Sequence, residues 1–345
     1  MPLAYVPVIL LGGNRKTLTN ALSAGVRLVV FIGLMVWAPF GVRSREEPVT
    51  LSPRLQAGQT FTYLIRFRTE KHVKTESRVV TPMGPDEAEV DAHTLLSVEV
   101  LDVQPENGKA IVHVRTQFIP ARDGLSLQER VGQQVQPDAG INPRKPVEFT
   151  LLADGRVDRL KGFDALLPEQ QQTWQEWVRH FAIANAFPRG VKRGQKWKSE
   201  DAEKSPSPIA GLNWVKTATY VRDEPCRLAQ ATPTGDVAPS DRQSETCAVV
   251  LTTAILKQKS SPRDATPGDY KLHELRTLGT AKGVNETITY ISLSTGLVVR
   301  ATEEAKQFMD VIVAKADGSN RVHYNVEAKS HVEVLLVEGT APNSN

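Results

Sequence analysis

Only one stretch of this sequence carries helical periodicity, Phe163 to Trp197, and strand-like sequence lies on both sides of it. Trp174, Trp177, Val178, Phe181 and Ala184 recur at i, i+3, i+4 and i+7 and form one apolar stripe. Gln171, Gln172, Gln175, Glu176 and Arg179 fall mostly elsewhere. Pro168 opens the helix where no intrahelical N–H bond is needed. Pro188 and Gly190 end it, because proline disfavours the α conformation in the residue before it. Such a helix has two readings. Its tryptophans plug the core of a sheet, or it forms a lid over a ligand cavity. On the second reading Trp174, Trp177 and Phe181 are candidate ligand-binding residues.

The flanking sequence alternates. Phe61, Tyr63, Ile65 and Phe67 fall on one face, with Thr62, Arg66 and Arg68 on the other, the period of a half-buried strand. Strands are expected before the helix at Gln59–Glu70, His72–Val80, Ala92–Val103 and Lys109–Phe118, and in a Val147–Leu160 hairpin around Asp154-Gly155. Residues 120–146 are polar and read as a long loop. After the helix, strands are expected at Gln195–Ser199, Asn213–Arg222, Cys247–Gln258, Tyr270–Thr280, Glu286–Leu293, Val298–Ala301, Gln307–Ala314 and Arg321–Val337. Asn107-Gly108 is a hairpin signal. Strands at this spacing with repeated turns imply a mainly β fold: an antiparallel curved sheet, barrel or half-barrel, with one amphipathic helix.

The two sides of the helix look alike. Ala57-Gly-Gln-Thr-Phe61 matches Arg193-Gly-Gln-Lys-Trp197 in placing a Gly-Gln turn before a strand opened by an aromatic. The chain therefore divides into a first β unit at 45–162, a linking helix at 163–190 and a second β unit at 191–338, with a disordered tail at 339–345. Turn chemistry alone also produces such likenesses in any β protein.

The N-terminus bears on location. Residues 1–44 hold Arg15, Lys16, Arg27 and Arg43 and no acidic residue, and Leu28–Phe40 is an uncharged apolar run. That run is short for a membrane span of about 20 residues and suits a signal peptide cleaved after Ser44. An uncleaved anchor is the alternative, and would be the only membrane contact. Export to a periplasm or cell envelope follows. The whole chain has 42 Lys and Arg against 39 Asp and Glu; without this segment the balance is 38 to 39. A near-neutral mature protein gives no basis for nucleic-acid binding. The only cysteines, Cys226 and Cys247, are an even pair in an oxidising compartment and read as a disulfide.

No motif points to catalysis. The seven histidines lack metal-ligand spacing, so no metal is expected. There is no Gly-x-Ser-x-Gly elbow, phosphate loop or dinucleotide fingerprint, so no cofactor is expected either. Carboxylates or histidines assembled from separate strands into a hydrolase site leave no local signal. Arg66 and Arg68, with Lys74 and Arg78 on the neighbouring strand, make a basic row that lines a concave anionic site or forms a solvated outer face.

Leu55-Gln-Ala-Gly-Gln-Thr-Phe-Thr-Tyr63, Phe187-Pro-Arg-Gly-Val-Lys-Arg-Gly-Gln-Lys-Trp197 and Ile291-Ser-Leu-Ser-Thr-Gly-Leu297 resemble segments of uncharacterised bacterial exported β-rich proteins. The chain is also similar in style to the LolA-like half-barrel lipid carriers of the Gram-negative envelope. The resemblance covers residues 55–337 and brings no catalytic residues. It implies a non-catalytic envelope protein that binds a lipid or other apolar ligand in a curved sheet. A scaffold or interaction module with an envelope protein partner is the other non-catalytic expectation.

Overall fold

The strands run longer than the turn signals suggest. The computed structural model describes residues 47–77, 87–106, 109–119, 128–131, 134–135, 145–188, 190–203, 207–231, 237–239 and 245–337. Before the helix lie β1 (Thr60–Ser77), β2 (Glu87–Glu106), β3 (Lys109–Ile119), β4 (Gln128–Val131), β5 (Gln134–Val135), β6 (Val147–Leu151) and β7 (Val157–Lys161). Helix α1 is Pro168–Ala186, preceded by a 3-10 turn at Phe163–Ala165. Then come β8 (Lys196–Ala202), β9 (Leu212–Cys226), β10 (Ala229–Ala231), β11 (Val237–Pro239), β12 (Glu245–Gln258), α2 (Gly268–Leu272), β13 (Leu275–Ser292), β14 (Val298–Lys315) and β15 (Val322–Val337).

One mainly antiparallel sheet results, in the order β7-β6-β3-β2-β1-β15-β14-β13-β12-β9-β8. Each meander neighbours its sequence partner, so short connections suffice. The first strand and the last pair at the middle, from Thr62 opposite Val337 to Ser77 opposite Val322. The sheet is open: β7 and β8 are its two ends, and α1 connects them. The fold is therefore a curved, unclosed antiparallel sheet with one substantial helix.

Several readings of local sequence change. His72–Ser77 does not turn back but continues β1, because no turn former interrupts Lys71-His-Val73. Residues 281–285 and 302–306 are interior strand, giving β13 and β14 full length. The stretch Thr302-Glu-Glu-Ala-Lys306 has helix-favouring composition, and pairing on both sides overrides it. Gly283 is no turn either: a Cβ there would lie 2.9 Å from Trp214, so glycine admits the indole against the backbone. Tyr270–Leu272 belongs to α2. Within 120–146, β4 and β5 form a small hairpin beside β2. The Asn107-Gly108 turn, Arg78 and residues 1–44 lie outside the described residues.

Helix α1 begins as its sequence implies. Pro168 is its first residue, and the Gln170 side chain accepts the Leu167 N–H at 3.1 Å. Phe163 and Trp174 meet Phe149 of β6 or one another, and Phe181 meets Phe61 and Tyr63 of β1. Arg179 and His180 reach Glu303 of β14, and Ile183 packs with Ala218, Tyr220 and Val250 of β9 and β12. Successive turns thus meet successive strands, and the helix runs across the sheet. Its 19 residues span roughly 28 Å, close to six strand spacings of about 4.8 Å. The main core lies beneath it. Cys226 and Cys247 form the disulfide, Cα atoms 5.7 Å apart, at the base of the hairpin that carries β10 and β11.

Candidate functional site: the inner face beyond the helix

Register fixes which side chains share the inner face. On one level Thr252, Thr287, Glu303, Val332 and Phe67 stand in a row across five strands. The next level holds Lys216, Ala254, Asn285, Ala305, Ser330 and Thr69. Beyond it come Trp214, Leu256, Gly283, Gln307 and Ala328, then Ala281, Met309, Val326 and Val73. Helix α1 covers only the near levels.

Trp174, Trp177 and Phe181 are all buried in the main core. Trp177 stacks on Phe181 with ring centroids 4.9 Å apart, and Trp174 meets Phe149 edge-on at 5.3 Å. The Trp174 indole N–H donates to Thr116 Oγ1 at 2.9 Å. That hydroxyl donates in turn to the Val147 carbonyl. The Trp177 N–H has no hydrogen-bond partner among the described residues. Tyr63 completes the cluster; its hydroxyl donates to the Val298 carbonyl at 3.1 Å, and burial pushes its pKa up. These aromatic side chains fill the space between helix and sheet.

A charged cluster marks the border of the covered region. Glu303 is buried yet ionised. Asn285 Nδ2 donates to it at 2.6 Å and Thr287 Oγ1 at 3.2 Å, and Arg179 forms an ion pair at 3.0 Å. Burial opposes the charge, but Arg179, His180 and these donors prevail and hold the carboxyl at about 2. Glu176 pairs with the same arginine. His180, fully buried, is pushed down to about 4 by desolvation despite the nearby carboxylate. Its Nε2 lies 3.4 Å from Glu303 without hydrogen-bond alignment. This pair anchors the helix; shut from solvent, it has no route to a reacting molecule. Sequence reasoning missed it, since Arg179-His180 and Glu303 are far apart in the chain and only register brings them together.

Past this border the inner face is unevenly covered. On the β9–β13 side, segments 207–212 and 262–267 fold over it, linked by the Ala210 N–H to the Ala265 carbonyl at 2.8 Å. Ile209, Leu212, Leu256, Ala265, Ala281 and Val311 make a small second core there. The Trp214 indole lies over Gly283, and its N–H donates to Glu203 at 2.6 Å. Between this cover and β15 runs a groove lined by Leu212, Leu256, Ala281, Met309, Val326 and Ala328, with Glu203 and Ser207 at its rim. The groove is partly open and offers about 70 Å³, room for a short length of alkyl chain. Met309 and Val326 are half-buried on a face where inward residues nearer the helix are fully covered.

Arg66 and Arg68 lie on the opposite, outer face. Arg66 pairs with Glu333 at 3.2 Å, which also binds Arg300 at 3.0 Å. Arg68 pairs with Glu70 and Glu89 at 2.9 and 3.2 Å. Lys74 continues the row on the same strand, not on a neighbour. His331 and Glu333 share this face, and His331 meets Glu304 at 2.6 Å. Among the described residues no group of three or more His, Cys, Asp or Glu side chains could hold a metal ion. No helix among them is long and apolar enough to cross a membrane.

No family model matches this sequence, and no curated protein matches it. Among solved structures, a lipovitellin structure concerned with lipid–protein interactions aligns with a TM-score of 0.40 and 15% identity, over 84% of this chain and 26% of that one. The chain thus spans about a quarter of that protein's length. The CymD monoaromatic hydrocarbon channel aligns with a TM-score of 0.13 and 9% identity, over 83% of this chain and 90% of that one. At these scores neither likeness carries an argument; the resemblance reaches a β-rich sheet and no named family.

Proposed function

We propose that this chain is a non-catalytic exported protein of a bacterial envelope that holds a lipid or other amphipathic ligand along the uncovered part of its inner face. The observation that carries this reading is the groove of Leu256, Ala281, Met309 and Val326, apolar and partly open on a face built to be core. Nearer the helix on the same inner face, Thr252 Oγ1 and Thr69 Oγ1 are buried without hydrogen-bond partners among the described residues. The small, partly open groove suits a ligand lying against the face with part of an alkyl chain inserted. On this reading residues 1–44 are removed on export, and 45–162 and 191–338 are related β units joined by the helix at 163–190. Trp174, Trp177 and Phe181 then shape the ligand site from behind.

Native mass spectrometry of protein purified from an envelope fraction, with lipid extraction of the same sample, tests this. A stoichiometric lipid lost on Met309→Glu supports it. A clean apo mass from gentle extraction removes the tightly bound ligand. A second reading, an interaction module, has its own support: Ile255 and Val284 sit opposite each other on the outer face, each 55% exposed.

A further inference from the structure

The two ends of the open sheet differ. At one end β7 pairs with β6 through a register shift, and Arg159 within it has φ +50°. A bulge and a left-handed residue bend a strand away from a straight partner. At the other end β8 pairs with β9 over seven consecutive residues, Lys196 opposite Thr219 to Ala202 opposite Asn213, without a shift. Its other edge has no strand partner among the described residues. All its residues but the half-buried Trp197 are exposed.

The charges on β8 are ordered. Its sequence is Lys-Trp-Lys-Ser-Glu-Asp-Ala, basic first and acidic after, with Ser199 at the centre. Lysine on an edge strand normally repels pairing. A parallel copy would set Lys198 against Lys198 and Glu200 against Glu200. An antiparallel copy centred on Ser199 sets Lys198 against Glu200 twice, on the outer face, and Trp197 against Asp201 twice on the inner one. Opposite charges directly across a strand pair stabilise it, and like charges destabilise it. Two-fold symmetry is the commonest way one patch recognises itself.

We infer that β8 is a self-recognition edge, through which two copies of this chain pair antiparallel about Ser199 and extend the sheet across a two-fold axis. This does not rest on the ligand reading. Glu200 already meets Lys259 at 2.5 Å and Asn213 at 2.6 Å. These contacts hold its carboxylate in place, and the incoming Lys198 adds to them. Seven-residue edges bury little surface, so the pair is a weak one.

Sedimentation velocity on the full chain over a concentration series tests it. The expected result is a reversible dimer. Lys198→Glu, which leaves the Glu200 contacts untouched, weakens it by about tenfold or more. The double variant Lys198→Glu/Glu200→Lys restores it, because the charge order is reversed and still self-complementary. Ala202→Pro removes an N–H that faces the free edge and weakens the dimer while the circular dichroism stays β. If Ala202→Pro disturbs folding, the charge-swap pair alone decides. A chain that stays monomeric across the series overturns the inference. So does a dimer indifferent to Lys198→Glu, or a double variant no better than the single one.

Discussion

On β14 the inward residues Ala301 and Glu303 meet helix α1, whereas Gln307 and Met309, further along the same strand, face the groove. The strand is continuous and the side-chain alternation unchanged, so the difference lies in what covers them. Near the helix, large aromatic groups fill the space. Beyond it only short segments close one side. The backbone of a long strand does not itself decide whether its inner face becomes core or surface; the covering element does.

Trp177→Ala separates the two regions most sharply. Under the helix it empties a fully packed site and should lower unfolding free energy by about 3–5 kcal/mol in a denaturant titration. Trp177→Phe should lose much less, since the indole N–H is unpartnered. Trp174→Phe should lose more than Trp177→Phe, since it removes the indole N–H that donates to Thr116.

At the border the expected effect depends on pH. The folded pKa of His180 is depressed to about 4, so the unfolded chain binds the extra proton as pH falls below its ordinary value near 6.5. Stability is therefore full above about pH 6.5 and falls through the window down to about 4, by roughly 3 kcal/mol at most. Glu303, held at about 2, adds a further loss between about pH 4.5 and 2 by the same sign. His180→Gln should flatten the upper part of the profile. A profile that keeps its slope between pH 6.5 and 4 in this variant would assign that loss to other groups.

Gly283→Ala lies beyond the helix, where Trp214 covers the sheet. The new methyl would meet Trp214 at 2.9 Å and Leu256 at 3.1 Å, so a loss of about 1–2 kcal/mol is expected as the indole shifts. Trp214 fluorescence should change with it. The smallest effect belongs to Met309→Ala, with a stability change under about 1 kcal/mol for a half-exposed side chain. A loss as large as that of Trp177→Ala would show that Met309 is core, and would erase the distinction.

Much of the architecture was readable in the sequence. The helix carried its own boundaries in Pro168 and Pro188, and a chain with two cysteines left one partner for each thiol. What misled were local signals that non-local pairing overrode. Gly283 and the run from Thr302 to Lys306 suggested breaks in strands that β12, β13 and β15 hold straight. Alternation set Arg66 and Arg68 on the face opposite Phe67, but it left open whether that face binds a ligand or meets solvent. The groove and the Glu303 cluster were not legible. Each depends on register across strands distant in sequence, and no periodicity within one segment encodes register.

The seam between β1 and β15 sets a schedule. A ribosome makes β1 long before its central partner β15, so the middle of the sheet waits for β15. Until then β1 offers one long unsatisfied edge, with β2 on its other side. Contacts between residues as distant as Thr62 and Val337 form slowly, because a very long loop must close first. A chain built this way benefits from being kept unfolded until it is complete, as a chain threaded through a translocation pore is. Stopping it short of residue 322 removes the strand that joins its two sides, leaving sheets with fresh edges and a strong tendency to aggregate.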